Sequence, residues 1–161
     1  MALIIEDGSI VDNATSYNTD VELSAYAAAR GYTLPATEAE RDILQIKAMD
    51  FINANESCMQ GFRVSEDQEL SFPRNGVVVN GFLVASDKIP KTLKQAQNEA
   101  SILVQTVALL TGTSVQNIQS EKLDVLEVSY FKGGKRVQLD AGRIFNYLSP
   151  VLKNVNKLVR T

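Results

Sequence analysis

The stretch Ile89–Gly112, IPKTLKQAQNEASILVQTVALLTG, decides the fold. It opens with Ile89-Pro90, and proline suits a first helical turn because its missing amide hydrogen is not needed there. Apolar and small side chains then recur at helical spacing for about five turns, until Gly112 ends the pattern. Because the small residues would let another helix approach closely, the stretch predicts one long central helix. The side chains of this stripe are Leu93, Ala96, Ala100, Leu103, Val104, Val107 and Leu110.

Two shorter helices are predicted upstream, each by a capping signal. Thr19-Asp20-Val21-Glu22 fits a capping box, in which the threonine and the glutamate each accept from the other residue's backbone amide. With Gly31 as a left-handed C-terminal stop, the box predicts a helix from about 20 to 30. The same pattern at Thr37-Glu38-Ala39-Glu40 precedes an apolar stripe, which predicts a helix from about 38 to 54. The stripe comprises Leu44, Ala48, Phe51 and Ile52.

Residues 55–89 are predicted to form a long ordered loop. Glycines and Pro73 interrupt any regular pattern in this stretch. Short apolar runs flank Asn80-Gly81, a dipeptide typical of a β-hairpin turn. A loop of this length is uncommon unless it has a function. We expect this one to contact neighbouring subunits.

The apolar period changes to two after Ser120-Glu121-Lys122. Alternate side chains over 126–130 are apolar, as in a half-buried strand. Gly133-Gly134 predicts a turn, and alternate apolar residues over 137–139 predict the return strand. The remaining chain has a broken helical pattern, which indicates one interrupted helix or two short ones.

These elements predict a mainly helical α+β fold. It would be a small helical bundle around one long central helix, with a β-hairpin and with extended N-terminal, loop and C-terminal arms. The length fits a single domain, 1–161. No apolar run is long enough to span a membrane, so we expect no membrane contact. The predicted parts are an N-terminal arm at 1–17, a helical core at 18–112 that includes the loop 55–89, a β-hairpin at 113–140 and a C-terminal segment at 141–161.

The composition argues against catalysis. The chain has no histidine, which removes the commonest general base and the commonest transition-metal ligand. Cys58 is the only cysteine, so an internal disulfide and a two-cysteine redox pair are excluded, and no histidine is present to activate its thiol. We expect a protein that is not an enzyme and that has no cofactor and no bound metal.

Three local clusters have a functional and a simpler interpretation, and the simpler one is favoured each time. Glu66, Asp67 and Glu69 could hold a divalent cation, but their spacing matches no calcium loop, which favours a solvated loop. Lys132-Gly133-Gly134-Lys135 resembles a phosphate-binding turn without P-loop spacing, which favours a hairpin turn. Tyr130-Phe131 could stack single-stranded bases, although two aromatics in a strand are more often core.

Charge is unevenly distributed along the chain. Residues 1–120 carry fifteen acidic and eight basic side chains, a net of −7, whereas residues 121–161 carry four and eight, a net of +4. A basic segment on an acidic body could dock onto an acidic protein or contact phosphates. It could equally be a polar helix face.

Several phrases of the sequence, taken in order, resemble one family of tailed-phage proteins. The family carries the label DnaT-like single-stranded-DNA-binding protein, and it is similar in setting and organisation to the head–tail connector proteins of lambda-like phages. The resemblance covers roughly residues 5–131, and Phe72 stands where tryptophan is expected of the family. The phrases are Glu6-Asp7-Gly8, Asn13-Ala14-Thr15-Ser16-Tyr17, Tyr26-Ala27-Ala28-Ala29-Arg30-Gly31, Gly61-Phe62-Arg63, Gln68-Glu69-Leu70-Ser71-Phe72-Pro73-Arg74, Ile89-Pro90, Ser120-Glu121-Lys122 and Val128-Ser129-Tyr130.

The resemblance implies a virion structural protein, a head–tail adaptor assembled in the bacterial host cytoplasm. Copies would form a ring, commonly a dodecamer, under the portal protein and above stopper or tail proteins. Double-stranded DNA would pass through the lumen without specific binding. An acidic body is consistent with this role, because tight phosphate contacts would hold the duplex in place.

The resemblance also suggests where partners would bind. The C-terminal segment 141–161 is expected to dock onto the portal or an adjacent subunit, and the loop 55–89 to contact neighbouring copies. The C-terminal candidates are Phe145, Leu148, Val151, Leu152, Lys153, Lys157 and Arg160. The candidates in the loop are Arg63, Pro73 and Arg74.

Two alternatives remain open at this point. The family label and the basic segment favour a single-stranded-DNA-binding protein of DnaT-like type. A head–tail stopper or tail-completion protein is the other alternative, although we expect a stopper to be mainly β.

Overall fold

The computed structural model describes residues 2–107, 109, 120–123, 126–129 and 141–153. These ranges contain four α-helices and three two-stranded antiparallel sheets, which confirms a mixed α+β fold. The helices are α1 Asp20–Ala28, α2 Glu38–Ala54, α3 Lys91–Leu103 and α4 Gly142–Leu148. The sheets pair β1 Phe62–Arg63 with β2 Arg74–Asn75, β3 Val78–Val79 with β4 Phe82–Leu83, and β5 Ser120–Leu123 with β6 Leu126–Ser129.

The first two helices begin at the predicted caps. Thr19 and Glu22 form both halves of the capping box of α1. Gly31 adopts a φ of +71°, and this left-handed turn lets Tyr32 N–H donate to the Ala27 carbonyl (3.0 Å) as the helix ends. At α2 only half of the box forms, because the Thr37 hydroxyl accepts from Glu40 N–H (3.4 Å) and also donates to the Glu40 carboxylate (2.6 Å).

Helix α3 lies at the centre of the bundle but is not a long helix. It has 13 residues against 17 in α2, and it packs between α2 and α4. Beyond Leu103 the backbone continues in turns over 104–107, where β-branched residues are frequent and the Thr106 hydroxyl donates to the Leu103 carbonyl (3.1 Å). The predicted helix to Gly112 is therefore too long over 104–107, while 110–112 lie outside the described residues.

The core forms around α3. The predicted stripe residues Leu93, Ala96 and Ala100 are fully buried, and they pack against side chains from α2, α4, the loop and the N-terminal segment. The largest fully buried apolar or aromatic side chains are Tyr17, Leu23, Met49, Ile52, Met59, Phe72, Leu93, Ile144 and Leu148.

The predicted N-terminal arm packs against its own subunit. The buried carboxylate of Glu6 accepts hydrogen bonds from the backbone amides of Gly8 (2.7 Å), Ile10 (3.1 Å) and Val11 (2.8 Å), which closes a compact turn. Tyr17 enters the core, where its hydroxyl accepts from Phe72 N–H (2.9 Å). Burial raises the pKa of this phenol well above its ordinary value.

The hairpin at Asn80-Gly81 is confirmed. Both residues have positive φ, +52° and +85°, as a two-residue primed turn requires. Strand β6 lies where the sequence predicts a strand, but the partner that the structure describes is the upstream β5. The predicted turn at Gly133-Gly134 and its return strand lie outside the described residues. Of the helices in the described ranges, none is long and apolar enough to cross a membrane.

Candidate interaction surfaces

The loop 55–84 is held by an ion-pair network centred on Glu56. Its carboxylate accepts from the Arg63 guanidinium at 2.7 Å and from Arg74 Nη1 at 2.9 Å. The Arg63 guanidinium holds the pKa of Glu56 below its ordinary value, with burial opposing and Arg74 adding to the effect. The network joins the start of the loop to β1 and β2.

Arg74 is buried, with 6% of its surface exposed, and it acts as a backbone anchor. Its guanidinium donates to the carbonyls of Gln60 (2.8 Å), Gly61 (2.9 Å) and Ser71 (3.3 Å). A rigid guanidinium with five N–H donors suits this task, because one side chain can bond to all three carbonyls and to Glu56.

Gln68 organises the neighbouring turn in the same way. Its Oε1 accepts from the amides of Val64 (2.9 Å) and Ser65 (3.2 Å), and its Nε2 donates to the carbonyls of Leu70 (2.8 Å) and Pro73 (3.1 Å). The phrases Gly61-Phe62-Arg63 and Gln68–Arg74 therefore encode a loop scaffold.

The β3–β4 hairpin projects from this scaffold. It is anchored by Val77, which is fully buried, and by the hydrogen bond from Val84 N–H to the Val77 carbonyl (2.8 Å). Beyond that anchor the side chains emerge into solvent: Val78 is 44% exposed, Phe82 77% and Leu83 73%. We call Val78–Leu83 the hairpin tip. Residues 75–86 contain no charged side chain, so the hairpin itself presents apolar surface without a charge of its own.

An open groove of about 830 Å³ separates the hairpin from the segment Ser149–Lys153, and we call it the hairpin groove. Gln60 spans its floor: its Oε1 accepts from Val78 N–H (3.2 Å), and its Nε2 donates to the carbonyls of Pro150 (2.9 Å) and Leu152 (3.2 Å). The groove is lined by Gln60, Gly61, Gly76, Val78, Asn80, Gly81, Ser149, Pro150, Leu152 and Lys153.

Three of the seven C-terminal candidates pack within their own subunit. Leu148 and Val151 are fully buried, and Phe145 is half-exposed with its ring edge-on to Phe51 at a centroid distance of 6.0 Å. Leu152 and Lys153 line the hairpin groove. Lys157 and Arg160 lie outside the described residues.

The loop candidates are engaged internally as well. Pro73 and Arg74 are buried, and Arg63 is committed to Glu56 and to the Gln68 carbonyl (2.6 Å). A contact of these three side chains with another subunit stays a prediction. The most exposed large apolar side chains of the same loop are Phe62, Phe82 and Leu83, which the sequence analysis did not select.

A second surface lies across the molecule's α1, α3 and α4 helices, and we call it the tyrosine–arginine cluster. Its centre is Glu99, only 4% exposed, whose Oε1 accepts from the Tyr26 hydroxyl (2.8 Å) and lies 3.5 Å from Arg143 Nη2. The Arg30 guanidinium stacks 3.5 Å from the centroid of the Tyr26 ring. The Arg143 guanidinium lies 5.6 Å from the centroid of Tyr32 and donates to its hydroxyl.

The electrostatics of the cluster follow from burying Glu99. Burial and the Glu99 carboxylate together raise the pKa of Tyr26 well above its ordinary value, so this phenol stays a donor. The Glu99 charge likewise raises the pKa of Arg143. Beside the cluster is an open pocket of about 290 Å³ with Tyr32, Glu99, Gln105, Thr106 and Arg143 among its walls.

Sequence reasoning missed Glu99, although a signal was present. Glu99 stands three residues after Ala96 and four before Leu103, inside the buried stripe of α3. A carboxylate at such a position needs hydrogen-bonding partners from neighbouring helices. That requirement points to a polar cluster.

The remaining candidate sites lack support in the part of the chain that the structure describes. Within those ranges no three His, Cys, Asp or Glu side chains come together as a metal site, and this includes Glu66, Asp67 and Glu69. Cys58 is exposed. Lys132-Gly133-Gly134-Lys135 and Tyr130-Phe131 lie outside the described residues.

Comparison with known proteins places the chain in a family. A family profile described as "Putative DnaT-like ssDNA binding protein" matches residues 1–161. No curated protein and no solved structure matches the chain. Because the profile spans all 161 residues, the chain belongs to this DnaT-like family.

Proposed function

We propose that this protein is a structural component that assembles with copies of itself and with other virion proteins, as a head–tail adaptor whose ring lies under the portal. The observation that carries the proposal is the hairpin tip. Phe82 and Leu83 are about three-quarters exposed in a stretch with no charged side chain. Covering such side chains against a partner would contribute about 1.5–3 kcal/mol each.

The scaffold beneath the tip supports an assembly role. Glu56, Arg63 and Arg74 fix the loop by ion pairs and by hydrogen bonds to backbone carbonyls, so the tip projects from a preorganised base. Preorganisation lowers the entropic cost of binding. In a ring, one surface of each copy meets a different surface of the next, and a projecting apolar hairpin suits such a heterologous contact.

The choice of a head–tail adaptor rests on the motif resemblance and on charge. The described ranges 2–107 and 141–153 carry fifteen acidic and ten basic side chains, a net of −5. An acidic body repels phosphates, which suits a conduit that must let DNA slide. The family description itself names a different activity, single-stranded-DNA binding.

The proposal is tested with purified portal rings and negative-stain microscopy. Wild-type protein is expected to add a ring to the portal, and the double variant Phe82→Asp with Leu83→Asp to lose it. Val21→Asp is the matched control, because Val21 is 75% exposed on α1, far along the chain from the hairpin. Portals without an added ring for the wild-type protein, or an unchanged ring with the double variant, would contradict the proposal.

Single-stranded-DNA binding is the second candidate, and two observations favour it. The family description names it. The tyrosine–arginine cluster also places two guanidinium groups, those of Arg30 and Arg143, beside tyrosine rings, and such pairs can stack bases and contact phosphates. The acidic balance and the ion pair between Arg143 and Glu99 weaken this surface as a phosphate site.

Fluorescence anisotropy with a labelled oligonucleotide tests the second candidate. Single-strand binding through the cluster predicts affinity that falls steeply with salt and that is lost in the double variant Arg30→Ala with Arg143→Ala. Lys47→Ala with Lys88→Ala is the control, because it removes the same charge from two exposed sites elsewhere. If the wild-type protein does not bind the oligonucleotide at low salt, single-stranded-DNA binding is excluded. If both double variants lose the same affinity, the binding site is not the tyrosine–arginine cluster.

A further inference from the structure

The hairpin groove lies beside the point where the described chain ends, but the chain leaves it in the opposite direction. Gln60 N–H donates to the Val151 carbonyl (2.8 Å) and Lys153 N–H donates to the Cys58 carbonyl (2.8 Å), a short antiparallel ladder. In such a ladder each step forward on one strand is a step back on the other. At Lys153 the backbone therefore heads from Gln60 towards Ser57.

The Lys153 side chain holds this direction, because its ammonium donates to the Ser57 carbonyl (3.0 Å). Gly61, Gly76 and Val78, which line the groove, lie beyond Gln60 at the other end of the ladder. The residues after Lys153 would have to reverse to fill the groove of their own copy. At Lys153, where this described range ends, the backbone is directed away from the groove of its own copy.

The chemistry of the groove matches those residues. Its walls combine apolar Val78, Pro150 and Leu152 with polar Gln60, Asn80 and Ser149 and with glycine backbone, and Lys153 is the one charged side chain among its lining residues in the described part of the chain. The residues that follow are NVNKLVRT, with apolar Val155, Leu158 and Val159. An extended apolar segment can bury side chains in such a groove and bond to the exposed backbone.

Charge favours the encounter between copies and not the fit inside the groove, where Lys153 is itself a cation. Residues 154–161 carry Lys157 and Arg160 and no acidic residue, a net of +2, whereas the described ranges 2–107 and 141–153 carry −5. A basic segment is attracted to the acidic body of another copy, and this steers the encounter.

Resting on the proposed assembly function, we propose that residues 154–161 of one copy occupy the hairpin groove of the next copy. Eight residues can extend over about 26–29 Å, enough to cross a subunit boundary. Each copy would then give a segment on one side and receive one on the other. This is a heterologous contact, which closes a ring or extends a filament.

Site-specific crosslinking on portal rings tests the inference. The full chain would carry Val78→Cys in the groove and Leu158→Cys in the segment, in a Cys58→Ser background, and would be oxidised after assembly. The expected result is a ladder of disulfide-linked multimers on a denaturing gel. Val21→Cys with Leu158→Cys is the matched control and is expected to remain largely monomeric, with at least a tenfold weaker ladder.

Two outcomes would overturn the inference while leaving the adaptor proposal intact. They are rings on portals with only intramolecular crosslinks, and rings with no crosslink at all. Absence of the protein from the portals would instead defeat the adaptor proposal and this inference together. A full-length variant with Val155→Asp and Leu158→Asp gives an independent check, since it is expected to lose most ring formation without losing its fold.

Discussion

The hairpin side and the tyrosine–arginine cluster use arginine in opposite ways. Around the hairpin, the guanidinium groups of Arg63 and Arg74 point into the subunit, where they bond to Glu56 and to backbone carbonyls. In the cluster, Arg143 remains 55% exposed and Arg30 lies on a tyrosine ring at the surface. The hairpin therefore exposes apolar side chains and no arginine, and the cluster exposes cations.

This difference separates scaffold from contact surface. The motif residues of the loop hold the backbone, and the less distinctive Phe82 and Leu83 remain exposed. Arg63 and Arg74 belong to the sequence motifs of the loop, yet both bond within the subunit, so a charged residue in a motif does not by itself mark a binding surface. Exposure decides which side chains are available.

The largest expected effect is on stability, from Arg74→Ala. It would remove the donor of three backbone carbonyls and one of the two arginine partners of the part-buried Glu56 carboxylate, so we expect a loss of about 3–5 kcal/mol. Arg30→Ala, whose guanidinium lies exposed on the Tyr26 ring in the cluster, is expected to cost no more than about 1 kcal/mol. Urea denaturation of both variants measures the contrast, and equal losses would contradict the division into scaffold and surface.

Gly61 offers the next test of the scaffold. A Cβ there would lie 1.9 Å from the Asn75 carbonyl oxygen, at a φ of +64°. At Gly81 in the hairpin turn, φ is +85° and a Cβ would meet nothing within 4 Å. Gly81→Ala is therefore expected to lower the free energy of unfolding by about 1–2 kcal/mol, the cost of placing alanine in the left-handed region. Gly61→Ala adds a steric clash and is expected to cost about 1–3 kcal/mol more. A thermal unfolding comparison in which the two variants matched would show that the approach of β1 to β2 is loose.

In the cluster, Tyr26→Phe tests whether Glu99 depends on its hydrogen bond. Removing the hydroxyl leaves the buried carboxylate with one donor fewer, and a loss of about 1–3 kcal/mol follows. Tyr32→Phe, whose hydroxyl accepts from the exposed Arg143, is the control and should change stability less. The free energy of unfolding is measured for each variant. An unchanged value for Tyr26→Phe would mean that other donors supply the hydrogen bonds that Glu99 needs.

The smallest effect concerns pH and Glu56. Its pKa is lowered in the folded state from an ordinary value of 4.5, chiefly by the hydrogen bond from Arg63. The unfolded chain therefore takes up this proton first as the pH falls, so the stabilisation is complete at neutral pH and is lost below about 4.5. Unfolding curves between pH 7 and 3 should show a weaker acid dependence in Glu56→Gln than in the wild-type protein. Parallel curves would remove Glu56 from the acid response.

Local signals predicted the fold better than the site. The caps at Thr19 and Thr37 and the turn at Asn80-Gly81 act through neighbouring residues, so sequence alone locates them. Helix α3 ends at Leu103, where β-branched residues with low helix propensity follow. The apolar stripe continues past this point in the sequence, so the pattern alone predicts a longer helix.

The site depended on contacts between distant residues. Arg74 reaches the Gln60 carbonyl and Glu56, and Tyr26 reaches Glu99, 73 residues away. No spacing rule within one segment brings such partners together. The exposure of Phe82 is likewise invisible in a pattern that reads as a strand, because it depends on how far the hairpin projects from the core.

Hydrogen–deuterium exchange of the wild-type protein, free and mixed with purified portals, tests the assembly account most directly. The account predicts slower exchange on mixing over residues 77–84, with the amides of 26–33 in the tyrosine–arginine cluster unchanged. Protection that appears only at 26–33, or only after adding single-stranded DNA, would contradict it.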